Sequence, residues 1–410
     1  MVQTVKIPWA AWYGDEDYAL EFPDSWDVKI FNMKNAIEVS VEEIRDALNN
    51  PIGTSSLIEL AKGKQNAIIV VEDISRPSPM ENILNIILNL LNTAGIDDEK
   101  ITILVALGAH RPMHRQDFIK KIGLSIVDRV NIENHHPYEN LICMGVSEKG
   151  TPIYLNKTYY NADLKIAIGT VLPHPLAGFG GGAKIILPGI CGIQTLEANH
   201  QAGVRGIGGG IGFITELRKD IEDVCTKVGL DFSINVVSTL KRGIAGVYAG
   251  HFIDAHRKAI ELTKEVYSTE LPPDLNLDIG FFNLYPEDTE LNQFTKGFNL
   301  LMSSRNFIKV KGAVVLLTAC SEGRGFHSLL GETGARLYQN WGDSILFKGK
   351  LKSKTFGIFS PNLNQADIKH FLPSRTIFRK DFNEMVTALE EQYGTSPKVG
   401  IFPCSNQLHK

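Results

Sequence analysis

Between positions 174 and 200 the chain carries two imidazoles and a primary amine: His174, Lys184 and His200. Lys184 sits between Gly182-Ala183 and the apolar run Ile185-Ile186-Leu187. Most lysines are simply solvated. A lysine with apolar flanks is partly desolvated, favours its neutral form and becomes a nucleophile, so covalent attachment of a cofactor is reasonable chemistry here. His174 follows an apolar run at 164–168, and His110 follows another at 101–107. A lone histidine is more often structural. Two at equivalent strand ends suit a pair of acid–base groups, and bases on opposite sides of one carbon are what a racemase or epimerase needs. Ile193, Leu196 and His200 fall at i, i+3 and i+7, so His200 shares the apolar face of a helix. It is either a core histidine or a metal ligand, and imidazole suits nickel, zinc and copper alike. Arg76 stands three residues after Asp73. It is either a fork for a carboxylate or half of a local ion pair. Gln293 and Lys296 are i and i+3, neighbours on one helix face.

The glycine loop before Lys184 reads GFGGGAK from Gly178. It departs from the phosphate loop G-x-x-x-x-G-K-[ST]: Ala183 takes the second glycine position and Ile185 the magnesium-binding hydroxyl position. A nucleotide kinase is thereby disfavoured. The relaxed dinucleotide fingerprint is met by Gly178, Gly180 and Ala183, but Pro188 and Gly189 follow where a helix should run, and Gly203 stands where the ribose-binding acid is expected. Gly180, Gly181 and Gly182 remain candidates to cradle one phosphate through backbone N–H groups. A tight packing loop is the plainer alternative.

These residues need a scaffold. Ala67–Val71 is a continuous apolar run, as in a parallel strand buried on both faces. A helix over 80–94 and a strand over 101–107 complete a βαβ unit. Titratable groups follow each strand's C-terminal end, the edge where open α/β sheets bind ligands. Ser40 with Glu43 predicts a capped helix over 41–48. Residues 131–137 read as a polar loop holding His135 and His136. Residues 235–240 and 244–248 read as a strand pair, and 254–267 as a long helix. AGVRGIGGGIG, at 202–212, has six glycines and suits a loop or lid. Past Pro272 the pattern restarts: strands at 277–282, 313–318, 355–360, 376–378 and 398–402, with helices at 286–304, near 329–341 and at 382–392. The expected fold is α/β: two α/β domains with mostly parallel sheets and an active site in the cleft between them. The first spans 1–270 and the second 271–394, with 395–410 able to complete the first.

Bulk properties exclude several classes. At 43% hydrophobic and 21% charged the chain is of ordinary globular composition. A net charge of −4 points to neither nucleic acid nor membrane partners. No apolar run approaches the roughly 18 residues of a membrane span, and the N-terminus lacks a signal-peptide pattern. Five cysteines, odd in number and without a CxxC pair, suit a reduced cytoplasmic protein without a zinc knuckle.

Together these stretches resemble the nickel-dependent lactate racemase family. The matching segments are DISRP with Asp73 and Arg76, LGAHRP with His110, HPLAGFGGGAKIILPG with His174 and Lys184, then His200, and NQFTKG with Gln293 and Lys296. The resemblance implies a nickel-pincer nucleotide, pyridinium-3-thioamide-5-thiocarboxylic acid mononucleotide, joined to Lys184. Its two sulfurs and a ring carbon would hold the nickel, with His200 as the fourth ligand. His110 and His174 would be the two general bases. Arg76, Gln293 and Lys296 would orient the substrate, and Asp73 and the glycine loop would help hold the nucleotide. The implied reaction is racemisation or epimerisation of a 2-hydroxy acid, lactate or a related short acid, by reversible hydride transfer through a 2-keto acid. Cofactor-synthesis proteins would be partners. One departure concerns the pocket: the family's tryptophan in the C-terminal domain has no clear counterpart, since Trp341 is the only tryptophan past residue 26. A non-catalytic carrier of the nickel nucleotide is the alternative, and it would need Lys184 and His200 but no base pair. A metal-free hydrolase is a third class, and the sequence lacks G-x-S-x-G.

Overall fold

Runs of aliphatic residues build two six-stranded sheets, one in each of two units. The computed structural model describes residues 2–204, 211–329 and 345–410. One unit comprises 36–266 with 327–329, and the other 1–35, 267–326 and 330–410.

In the 36–266 unit the strand order is Ile244–Gly250, Phe232–Ser238, Leu164–Thr170, Ala67–Glu72, Ile101–Ala106, Asn131–Asn134. All neighbours run parallel except the Phe232/Ile244 hairpin. Ala67–Glu72 is buried at every position. Its side chains meet cover on both faces, which is why the run reads as continuous rather than alternating. The helix Glu81–Thr93 places Ile83, Ile86, Ile87 and Leu91 in the core. Ser40 caps the helix Val41–Asn49, and Glu43 returns the bond to the cap. Because parallel strands share a direction, their C-terminal ends line one edge. Asp73, His110 and His174 all follow strands ending there.

The second sheet runs Ile377–Arg379, Thr355–Phe359, Ile308–Leu317, Leu277–Asn283, Lys398–Phe402, Asp27–Ile30, parallel throughout. The α/β character and the mostly parallel sheets are as expected. The chain's grouping differs at both ends. Residues 1–35 belong with the C-terminal half: Trp9, Leu20, Phe22 and Trp26 pack with Phe281, Val315 and Ile401 in one core. The final strand Lys398–Phe402 pairs with Leu277–Asn283 and with Asp27–Ile30, so 395–410 does not complete the 36–266 unit.

Two further expectations are corrected. No helix covers 286–290; a 3-10 helix, Leu291–Phe298, leads into the short helix Asn299–Ser303. Acids in this stretch serve other segments instead. Asp288 accepts from the Ala10 and Ala11 N–H groups, and Glu290 from that of Phe326. Nor is 131–137 a polar loop, since Asn131–Asn134 is the edge strand and His135 is fully buried. The helix expected near 329–341, with Trp341, and most of the glycine stretch 202–212 lie outside the described residues. Among the described residues no helix is long and apolar enough to cross a membrane.

Candidate active site

The turn after Ala67–Glu72 is folded by its own side chains. Ser75 N–H donates to Asp73 Oδ1 at 2.9 Å, and Ser75 Oγ donates to the same atom at 2.5 Å. The other carboxylate oxygen, Oδ2, lies 2.5 Å from His110 Nδ1. Burial raises the Asp73 carboxyl, but the charge and hydrogen bond of His110, the Arg76 charge and the Ser75 hydrogen bond outweigh that and hold it well below the usual carboxylate range. Asp73 therefore orients His110, a role sequence reasoning had not given it. Arg76 lies beside the pair, its Nη1 donating to Ser75 Oγ at 3.2 Å.

A buried ion pair supports this turn. Lys121 Nζ, fully buried, donates to Glu72 Oε1 and to the Arg76 carbonyl, both at 3.0 Å. Glu72 also accepts from Thr170 N–H at 2.7 Å and from Thr170 Oγ1. Two adjacent strand ends are thus tied, one leading to Asp73 and the other to His174.

Residues 173–174 pair with 178–179 in a two-residue ladder, which turns the chain back beneath His174. The glycines that follow are demanded by packing. A Cβ on Gly180 would lie 2.7 Å from the Thr170 carbonyl, and one on Gly182 2.9 Å from the His256 ring. Gly181 has φ +67°, where only glycine is unstrained. Gly180 N–H donates to Leu172 O, and Gly182 N–H to Asn235 Oδ1. On the carbonyl side sits Arg218, fully buried, whose guanidinium donates to the Phe179, Gly180 and Gly181 oxygens. His256 Nε2 lies 2.7 Å from Gly180 O. Sequence reasoning missed Arg218, His256 and Asn235, since none stands in a motif.

Lys184 lies in the 3-10 turn Gly182–Ile185 that the loop feeds. Beyond it, Gly108 N–H donates to Gly189 O at 2.9 Å, linking the turn that bears His110 to the turn that follows Lys184. His135 Nε2 donates to Cys191 O at 2.9 Å and holds the same segment from the edge strand. The helix Ile193–Val204 then begins and presents His200. Its register is fixed by Asn199, whose Nδ2 donates to the buried Asp220 carboxylate at 2.8 Å. His200 Nδ1 lies 2.8 Å from Leu196 O. A carbonyl only accepts, so Nδ1 carries the proton and Nε2 the lone pair. Burial pushes the His200 pKa down to about 4, with the Lys184 and His110 charges adding to the effect.

His200 therefore lies near enough to Lys184 and to His110 to feel the charge of each, and His174 follows the strand beside that of Asp73. Among the described residues no group of three or more His, Cys, Asp or Glu could hold a metal ion. Neutral His200 with its lone pair on Nε2, and an amine held nearby, fit a metal carried by an organic molecule tethered to Lys184.

Gln293 and Lys296 belong to the other unit, on the 3-10 helix Leu291–Phe298. Side chains three apart eclipse in a 3-10 helix. Lys296 Nζ donates to Glu287 at 2.5 Å, and Gln293 Nε2 to Glu290 at 3.1 Å.

Residues 13–207 match the family model described as the lactate racemase N-terminal domain. A lactate racemase of Thermoanaerobacterium thermosaccharolyticum is 31% identical over 330 residues, 78% of this chain and 75% of the relative. A lactate racemase of Lactiplantibacillus plantarum is 32% identical over 300 residues, 70% of this chain and 69% of the relative. Among solved structures, the lactate racemase apoprotein of T. thermosaccharolyticum superposes with a TM-score of 0.80 at 25% identity, over 100% of both chains. A Thermotoga maritima protein shares the fold with a TM-score of 0.69 at 20% identity, over 92% of this chain and 99% of the other.

Proposed function

The chain belongs to the lactate racemase family and is an isomerase, and from this we propose that it racemises or epimerises a short 2-hydroxy acid, lactate first among them. The observation that carries the reading is the grouping of Asp73-oriented His110, Lys184 and a neutral, half-buried His200 within one unit. A carrier needs the last two but has no use for an oriented base.

Lys184 would tether the nickel-pincer nucleotide and His200 would ligate its nickel through Nε2. When bound, such a group supplies a hydride acceptor beside the substrate carbon. The chain's own residues do the rest. Arg76 binds the substrate carboxylate through its guanidinium fork. His110, with Nδ1 donating to Asp73, receives the hydroxyl proton at Nε2. Asp73 stabilises the imidazolium that forms, as a buried carboxylate does for any histidine base. His174 serves the opposite face. Gln293 and Lys296 would hold the carboxylate and hydroxyl, the roles that the family resemblance implies for them.

The test begins with protein produced alongside the cofactor-synthesis machinery. Its intact mass should show an adduct that Lys184→Ala lacks, and its nickel should approach one per chain. Single enantiomers of several 2-hydroxy acids, followed by chiral chromatography, should lose optical purity. An unmodified Lys184 without nickel would sink the cofactor reading. Retained racemisation in both His110→Ala and His174→Ala would sink the two-base assignment.

A further inference from the structure

His174 and His110 are held by opposite kinds of partner. The backbone N–H groups of Leu176 and Ala177 both point at His174 Nδ1, each at 3.2 Å. A peptide N–H can only donate. Nδ1 must then offer its lone pair, and the neutral ring carries its proton on Nε2. His110 Nδ1 instead meets the Asp73 carboxylate at 2.5 Å. That carboxylate already accepts from Ser75 N–H and Ser75 Oγ. Here Nδ1 must carry the proton, and in the neutral ring Nε2 then holds the lone pair.

We propose that the two histidines rest in opposite tautomers, His110 as an Nε2 proton acceptor and His174 as an Nε2 hydrogen-bond donor. The geometry stands by itself; only its consequence rests on the racemase reading. A substrate hydroxyl against His110 meets a base that is ready. One against His174 meets an N–H. To become a base, His174 must lose the Nε2 proton and gain one on Nδ1, staying neutral, and both backbone bonds must break. That exchange is resisted by the fold. Residues 173–174 are laddered to 178–179, and Gly180 N–H is bonded to Leu172 O at 2.7 Å. The resting enzyme is thus prepared for one enantiomer, and the turn at 174–180 must yield before it serves the other.

The experiment is long-range proton–nitrogen correlation NMR on the imidazole-labelled apoprotein at about pH 8, with His110→Asn and His174→Asn assigning the signals. The amide oxygen introduced by His174→Asn can accept from the same two N–H groups, so this variant should keep the turn. The expected result is an unprotonated Nδ1 and protonated Nε2 for His174, and the reverse for His110. A protonated Nδ1 in His174, an unprotonated Nδ1 in His110, or averaged shifts in both overturns the proposal. Should a variant not fold, scalar coupling across the hydrogen bonds from the Leu176 and Ala177 amides to Nδ1 identifies His174 in the unaltered protein, and its absence counts against the proposal. Because no cofactor is present, a failed tautomer assignment leaves the racemisation assay untouched, and an inactive loaded enzyme leaves the NMR result standing.

Discussion

His200 shows how a single carbonyl sets a side chain for the ligand role proposed for it. Leu196 O fixes the proton on Nδ1, and burial keeps the ring neutral far below physiological pH. The ligand form costs the protein no deprotonation at neutral pH. His200→Ala should therefore abolish nickel retention while leaving the Lys184 adduct intact; metal analysis and intact mass on one sample separate the two. A lost adduct would mean that His200 acts earlier, in loading. Asp73 makes a different kind of contribution. Asparagine in its place keeps the shape and an acceptor but removes the charge that favours the His110 imidazolium. Asp73→Asn should lower kcat by about 10²-fold or more with little change in melting temperature. An unchanged kcat would remove Asp73 from the proton path.

At the scale of elements, what places these residues is a set of buried ties between strand ends. Glu72 and Lys121 are the central pair, and each has partners besides the other. Burial lowers the Lys121 pKa while the Glu72 charge raises it. Removing the cation strands a buried carboxylate, so Lys121→Met should cost about 3–5 kcal/mol in urea unfolding. Adding Glu72→Gln should return part of that loss. A double variant no better than the single one would show that Glu72 keeps another cation. The strands themselves were readable because a strand covered on both faces is apolar along nearly its whole length, as Ala67–Val71 is. The ties were not. Arg218 and His256 lie 38 and 76 residues from the Gly180 they bond, and nothing local marks them. The glycine loop was legible as a loop of special backbone. Its reason differed: Thr170, Val171 and His256 crowd the places where side chains would stand. His135 looked like a loop residue because its neighbours are polar, yet its partners Cys191 and Asn156 come from later in the chain.

For the whole molecule, the grouping of residues 1–35 was illegible for the same reason: the strand Asp27–Ile30 finds its partner, Lys398–Phe402, at the far end of the chain. Long-range burial also dictates how the molecule responds to acid. Burial lowers the pKa of His135 and of His200 from 6.5 to about 4, and that of His256 well below 6.5. Between those values the unfolded chain binds protons that the fold refuses. The stability these neutral rings confer is complete above pH 6.5 and is lost as pH falls towards 4. Asp288 opposes them: burial raises its carboxyl to about 6, so the fold takes up that proton first and gains stability as pH falls below 6. Three imidazoles outweigh one carboxyl, and stability should decline across this window. His135→Gln isolates one contribution, since its amide can still donate to Cys191 O but cannot titrate. The slope of unfolding free energy against pH between 6.5 and 4 should then shrink by up to one proton, about 1.4 kcal/mol per pH unit. Urea unfolding at several pH values measures it. A slope identical to that of the unaltered protein would mean that His135 is already charged in the fold, and that its burial is relieved by a partner other than Cys191 and Asn156.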